Sequence, residues 1–187
     1  MTVPRASLYV DEGTLQALKW IALLLMFVDH GNKYLALGKI DWMFAAGRAC
    51  LPLFCFVLAY NLSRPGVLES GGFMRVMKRT VLAGWIATPF FIVLGGLGWG
   101  WWPLNIMFML FVAAWIMFLL ERRRHGDVAW AVAAFVVGGA FVEFWWLGIG
   151  LCLAARHYCK RPGVWCVYWL FSYAPSKRKS MLSPAVS

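Results

Sequence analysis

Lys19, Asp29, His30, Arg48 and Glu143 each stand within or at the edge of a long apolar run. An ionisable group in such surroundings is costly unless paired, which makes each a candidate for chemistry. His30 has an ordinary pKa near neutrality and can take or give a proton. Arg48 can stabilise a carboxylate or a developing oxyanion, and Asp29 and Glu143 can hold a cation. On a helix advancing about 100° per residue, Lys19 and His30 fall within about 20° of one face and roughly 16 Å apart. Met26 and Lys33 lie near the same stripe, whereas Asp29 points about 100° away from His30. That spacing alone does not make Asp29 the partner that orients the imidazole; it can instead pair with Arg48 from the next run.

Each residue also has a structural reading. His30 can mark a helix end at an interface, and Arg48 can snorkel toward headgroups. Glu143, which joins two runs, can be a water-facing loop carboxylate. Asn105, just after Trp102-Pro103, can bridge helices by hydrogen bonds. Arg75, Lys78 and Arg79 can set topology or hold the phosphates of a nucleotide-bearing cofactor, and Arg122 to Arg124 read as topology determinants. Gly95-Gly96-Leu97-Gly98 is a turn rather than a phosphate loop, and no Ser-His-Asp arrangement is evident. The five cysteines lack zinc spacing and read as small buried residues, so neither a metal nor a disulfide framework is expected.

The elements that must position these residues follow from composition. Of 187 residues 62% are apolar and only 14% charged, too apolar for a soluble domain of this length to bury. At about 20 residues per span, that supplies five or six membrane helices. Continuous rather than alternating apolar runs exclude a membrane β-barrel. The runs cover about 15–38, 43–62, 76–97, 103–120, 128–142 and 144–155, with Pro52 and Pro89 inside the second and third. Pro89 should kink its helix unless neighbours satisfy the freed carbonyl. The apolar stretch 164–174 is too short to span. The acidic pair Asp11-Glu12 and the Asp29-His30 pair argue against a signal peptide. The fold expected is all-α, a polytopic helical bundle of about six transmembrane helices.

The net charge of +10 is gathered in short clusters between the runs, as in cytoplasmic loops facing anionic lipid rather than in a nucleic-acid binder. Arg64, Arg75, Lys78 and Arg79 follow the second run, Arg122 to Arg124 the fourth, and Arg156, Lys160 and Arg161 the sixth. Together with Arg5 and Lys19 they fall on one side, so both termini are expected in the cytoplasm. Trp99, Trp101, Trp102, Trp145 and Trp146 make an aromatic belt on the far side. From about Ser176 a basic, disordered cytoplasmic tail is expected; no internal repeat is visible.

The residues also resemble a family. Leu18 to His30, reading LKWIALLLMFVDH, resembles the opening of the TraX family, and Gly47 to Asn61, reading GRACLPLFCFVLAYN, is similar to its second signature. Arg75 to Arg79 with Thr88-Pro89-Phe90, Trp102 to Ile106, and Phe141 to Phe144 extend the likeness over about residues 1–160. The resemblance implies a TraX-like transmembrane domain over 1–175 in a conjugation-linked protein of the bacterial inner membrane. It implies an acetyl-CoA-dependent N-acetyltransferase acting on the amino terminus of a pilin, related to wider membrane acyltransferases with a catalytic histidine near the end of the first span. On that reading His30, Asp29 and Arg48 are catalytic, and Asn105 and Glu143 contact substrate or oxyanion. Lys19, Arg75, Lys78 and Arg79 hold acetyl-CoA. The family continues into further spans and a Tyr-Pro-x-His segment that this chain does not show. The second reading is therefore a shortened, non-catalytic assembly factor for pilus components; a small transporter is the third.

Overall fold

A computed structural model describes residues 8–34, 40–93 and 102–161 of the chain. The fold is all-α: among the described residues the only β pairing is an isolated parallel bridge between Leu104 and Val142. Each apolar run carries a helix. These are α1 (Glu12–Tyr34), α2 (Asp41–Arg48), α3 (Cys50–Asn61), α4 (Gly72–Val93), α5 (Ile106–Arg122), α6 (Asp127–Ala133), a π turn (Ala134–Gly138), α7 (Gly139–Phe141) and α8 (Trp145–Lys160). The expected short stretch 164–174 and the tail from Ser176 lie outside the described residues, as do Trp99 and Trp101.

The second run is helical but broken at Ala49. Pro52 has no N–H to offer the Arg48 carbonyl, and the Ala49 N–H turns back to Ala46 in a tighter bond. The break places Gly47 and Arg48 at the end of α2. Pro89 does not interrupt α4, which runs on to Val93. The turn ahead of it is braced, because the Thr88 hydroxyl and the Asn105 amide both donate to the Gly84 carbonyl.

Helix α5 is apolar on all sides and belongs in the middle of the bundle. Met109, Ala113, Ala114 and Met117 are fully buried there. Helix α8 packs between α5 and α3, α4 and α6 lie against α5, and α1 lies against α2 and α3. Gly84 permits the α4–α5 approach, since a Cβ there would stand 2.9 Å from the Phe108 ring.

The outer faces are apolar too. Trp20, Leu24 and Phe27 of α1, Leu82, Trp85 and Phe90 of α4, and Val128, Trp130 and Val136 along α6 and the π turn are all exposed. Among the described residues, one helical stretch, Asp41–Asn61, is long and apolar enough by length and composition to cross a membrane; Asp127–Phe141 is apolar but shorter.

At the α5–α6 turn, Arg122 grips the buried Asp127 with two hydrogen bonds, and the Arg124 N–H donates a third. Arg122, and with it Arg124, holds the Asp127 carboxyl down at about 2. Because the folded value lies below the ordinary one of about 3.9, this turn contributes stability above about pH 4 and loses it as pH falls toward 2. Asp127→Asn is expected to remove that part of the acid dependence, read as thermal stability against pH in detergent.

Candidate functional site

Five of the residues singled out by sequence converge on one cavity of about 610 Å³, lined by Asp29, His30, Arg48, Asn105 and Glu143 among apolar side chains. Four separate segments deliver them, and each is tied down by bonds of its own.

Helix α1 brings Asp29 and His30. Its end is clamped to the start of α2 by the buried Asn32, whose amide donates to the Ile40 carbonyl (3.0 Å) and whose oxygen accepts from the Ile40 N–H (3.1 Å). The clamp folds α2 back against α1. His30 Nδ1 lies 2.8 Å from the Met26 carbonyl. A carbonyl can only accept, so Nδ1 carries a proton, which leaves Nε2 as the nitrogen free to exchange one. The backbone, rather than a carboxylate, orients this imidazole.

Helix α2 brings Arg48 and a close contact the sequence did not reveal. A Cβ on Gly47 would run into the Asp29 side chain, so only glycine lets α2 approach α1 this closely. Gly47→Ala is expected to push the two helices apart and cost about 1–3 kcal/mol as an overpacked contact. The loss would appear as a lowered thermal midpoint in detergent, with Ala46→Gly as the control. Arg48 does not pair with Asp29 among the described ion pairs; its guanidinium lies 4.8 Å from the Phe44 ring centroid.

The start of α5 brings Asn105, which is buried. Its oxygen caps the helix by accepting from the Met107 N–H (3.1 Å), and its amide donates to the Gly84 carbonyl (3.0 Å) and the Thr88 hydroxyl (3.2 Å). Both amide protons are thus engaged in joining α5 to α4. Asn105 is the helix bridge that its position suggested.

Glu143 comes from the α7–α8 turn. Leu104 donates to the Phe141 carbonyl and Glu143 N–H to the Leu104 carbonyl, each at 2.8 Å, which pins this turn beside the α5 amino terminus. Asp29, His30 and Lys33 lie within electrostatic reach of the Glu143 carboxylate. Phe144 and Trp145 hold left-handed backbone angles (φ 63° and 52°), a strained choice for side chains of this size. Trp102 and Trp145 meet edge to face beside this turn, with centroids 5.4 Å apart.

A second cavity, of about 590 Å³, lies toward the other end of α1, α3 and α4 and is lined by Lys19, Arg64, Arg75 and Arg79. Arg75 donates to the Ser70 carbonyl (3.1 Å), and Arg64 pairs with Glu12 (2.6 Å). Lys78 is not brought here: it borders an apolar hollow with Trp85, Phe111 and Trp115 on another side of α4. Arg64, assigned by sequence only to topology, takes a place in the basic cavity instead. Along α1 the two cavities are separated by roughly 16 Å, the rise from Lys19 to His30.

Sequence reasoning passed over Asn32 and Gly47. Asn32 had a signal, an amide inside an apolar run. Gly47 had none without the position of α1. Cys50 and Cys55 are buried thiols, as are Cys152 and Cys159; Cys166 lies outside the described residues. Among the described residues no cluster of His, Cys, Asp or Glu is placed to hold a metal ion.

The TraX protein family matches residues 14–175 of the chain. The chain belongs to the TraX family. It is 34% identical over 130 residues to Protein TraX of Escherichia coli strain K12, covering 69% of this chain and 49% of the relative. A second Escherichia coli Protein TraX is 36% identical over 130 residues, with the same coverage. The chain thus spans about half the length of the curated TraX relatives it matches. No solved structure matches it.

Proposed function

We propose that this TraX-family chain is a multi-pass protein of the bacterial inner membrane, with about six spans and both termini cytoplasmic, that moves an acetyl group from acetyl-CoA to the amino terminus of a pilin during conjugation. The exposed apolar faces of α1, α4 and α6 support the membrane assignment, since a soluble monomer rarely exposes such bands. The clustering of basic residues supports the orientation.

The observation that carries the catalytic reading is the His30 imidazole, its Nδ1–H fixed by Met26, in a cavity shared with Asp29, Arg48 and Glu143. Lys19, Arg64, Arg75 and Arg79, which line the basic cavity, would hold the phosphates of acetyl-CoA, which would supply the acetyl group as a thioester. The pilin α-ammonium is held by Asp29 and Glu143. The ammonium releases one proton to solvent; as the amine nitrogen attacks the thioester carbon, His30 Nε2 takes the second. Arg48 stabilises the oxyanion. The carbon–sulfur bond then breaks, the amide remains on the pilin, and CoA leaves as the thiol with the proton taken up by His30. An α-amine has a pKa of about 8, within reach of an imidazole base. Asn105, whose donors are engaged by α4, is a positioning residue here, and Lys78 has no part in the donor site.

Intact-mass measurement of the cognate pilin, co-expressed with this chain, tests the reading. The expected result is a gain of one acetyl group at the pilin amino terminus. An unchanged mass, with the protein inserted and stable, would overturn it in favour of a non-catalytic assembly role.

A further inference from the structure

We infer that the His30 cavity opens sideways into the bilayer and that its acceptor docks there as the amino-terminal end of a membrane-embedded helix, against α1, α2 and α4. This rests on the transfer reading above but adds the route and the partner surface. Three phenylalanines line the cavity and yet are more than half exposed: Phe27 at 64%, Phe44 at 52% and Phe90 at 68%. A side chain that faces a cavity and the exterior at once marks its mouth. These three come from α1, α2 and α4, and outside them the surface continues apolar through Leu24, Trp85 and Ile86. A water-soluble acceptor would have no reason to enter through such a rim; an apolar chain already in the lipid would lose no hydration by doing so.

Inside the mouth the wall stays apolar through Met26, Ala87 and Met107, with Asp29, His30, Arg48, Asn105 and Glu143 as its polar groups, two carboxylates against one guanidinium. Two carboxylates complement the partial positive charge of a helix amino terminus as well as its α-ammonium. The base selects the same group. An α-amine titrates near 8 and a lysine-type alkylamine near 10.4, so at neutral pH roughly 200-fold more of the former is free to react. The arrangement therefore favours a peptide amino terminus over the amine of a lipid headgroup.

The test reconstitutes the full chain in phosphatidylcholine vesicles with acetyl-CoA and two membrane-spanning apolar peptides. One begins at the helix; the other carries a polar spacer that lifts its amino terminus into water. Sideways entry predicts that the first is acetylated about tenfold faster or more, because only its amine is held at the depth of the mouth. Equal rates, or a faster spacer peptide, would overturn it, as would preferential acetylation of phosphatidylethanolamine added to the vesicles. Benzoylphenylalanine placed at Phe90 should cross-link to the first peptide, and the same probe at Val128, on the outer face of α6, should not. Cross-linking at Phe90 without acetylation would uphold the docking face and remove the transfer reading; acetylation without cross-linking at Phe90 would do the reverse. The absence of both would overturn the two together.

Discussion

Replacing His30 with alanine is expected to lower acetyl transfer by about 10²–10⁴-fold, the usual contribution of a positioned general base, while leaving insertion and folding intact. The imidazole donates from Nδ1 to the Met26 carbonyl, an oxygen that the helix already satisfies through the His30 backbone N–H. Losing the ring therefore strands no buried backbone group. His30→Gln sharpens the test. It keeps an N–H for the Met26 carbonyl and similar polarity, but supplies no group that accepts a proton near neutrality. Both variants should insert normally and both should fail to modify pilin, as read by intact mass after a fixed time. A histidine that merely marked a helix end would leave the glutamine variant active, and that result would remove His30 from the mechanism.

Arg156→Ala is expected to cost about 2–3 kcal/mol of stability, because it removes charge-assisted hydrogen bonds and buried packing while Lys160 still neutralises Glu121. The Arg156 side chain is only 8% exposed and pairs with Glu121. It also donates to the Met117 carbonyl (3.0 Å), and its guanidinium lies 5.7 Å from the Phe73 ring centroid. It thereby ties α8 to α5 and to the start of α4. Lys160 shares the same Glu121 oxygen but is 39% exposed, so Lys160→Ala should cost under about 1 kcal/mol. Arg156→Met, which keeps most of the volume and leaves Lys160 to neutralise Glu121, should fall between the two. Thermal unfolding in detergent orders the three; equal losses for Arg156→Ala and Lys160→Ala would mean that the network is solvated. This residue also tempers the topology reading, because Arg156 contributes to the bundle interior as well as to the charge of its loop.

Much of the architecture was legible locally. Apolar runs longer than a strand fixed the positions of the helices, and the all-α class followed from their continuity. The kink expected at Pro89 does not interrupt α4, whereas the second run breaks at Ala49, near Pro52, where no break was expected. The face shared by Lys19 and His30 required only helical periodicity. The four ionisable positions of this cavity, Asp29, His30, Arg48 and Glu143, were conspicuous for the same reason that made them costly: each interrupts or bounds an apolar stretch.

What periodicity could not supply was the relation between helices. Asp29 and Arg48 read as possible partners across two runs, yet Arg48 lies over Phe44 and Asp29 packs beside Gly47. Asn105 read equally as a bridge or an oxyanion donor; only the position of Gly84 and Thr88 on α4 engages both of its amide protons. Arg75 and Arg79 border one cavity while Lys78 borders another, because α4 presents neighbouring residues to different partners. The sequence by itself thus determined where helices form and which polar groups they must carry, since those depend on local periodicity and the cost of charge in apolar surroundings. Which of those groups meet was decided by tertiary packing, because close approaches such as Gly47 on Asp29 and clamps such as Asn32 on Ile40 exist only once α1 and α2 have come together.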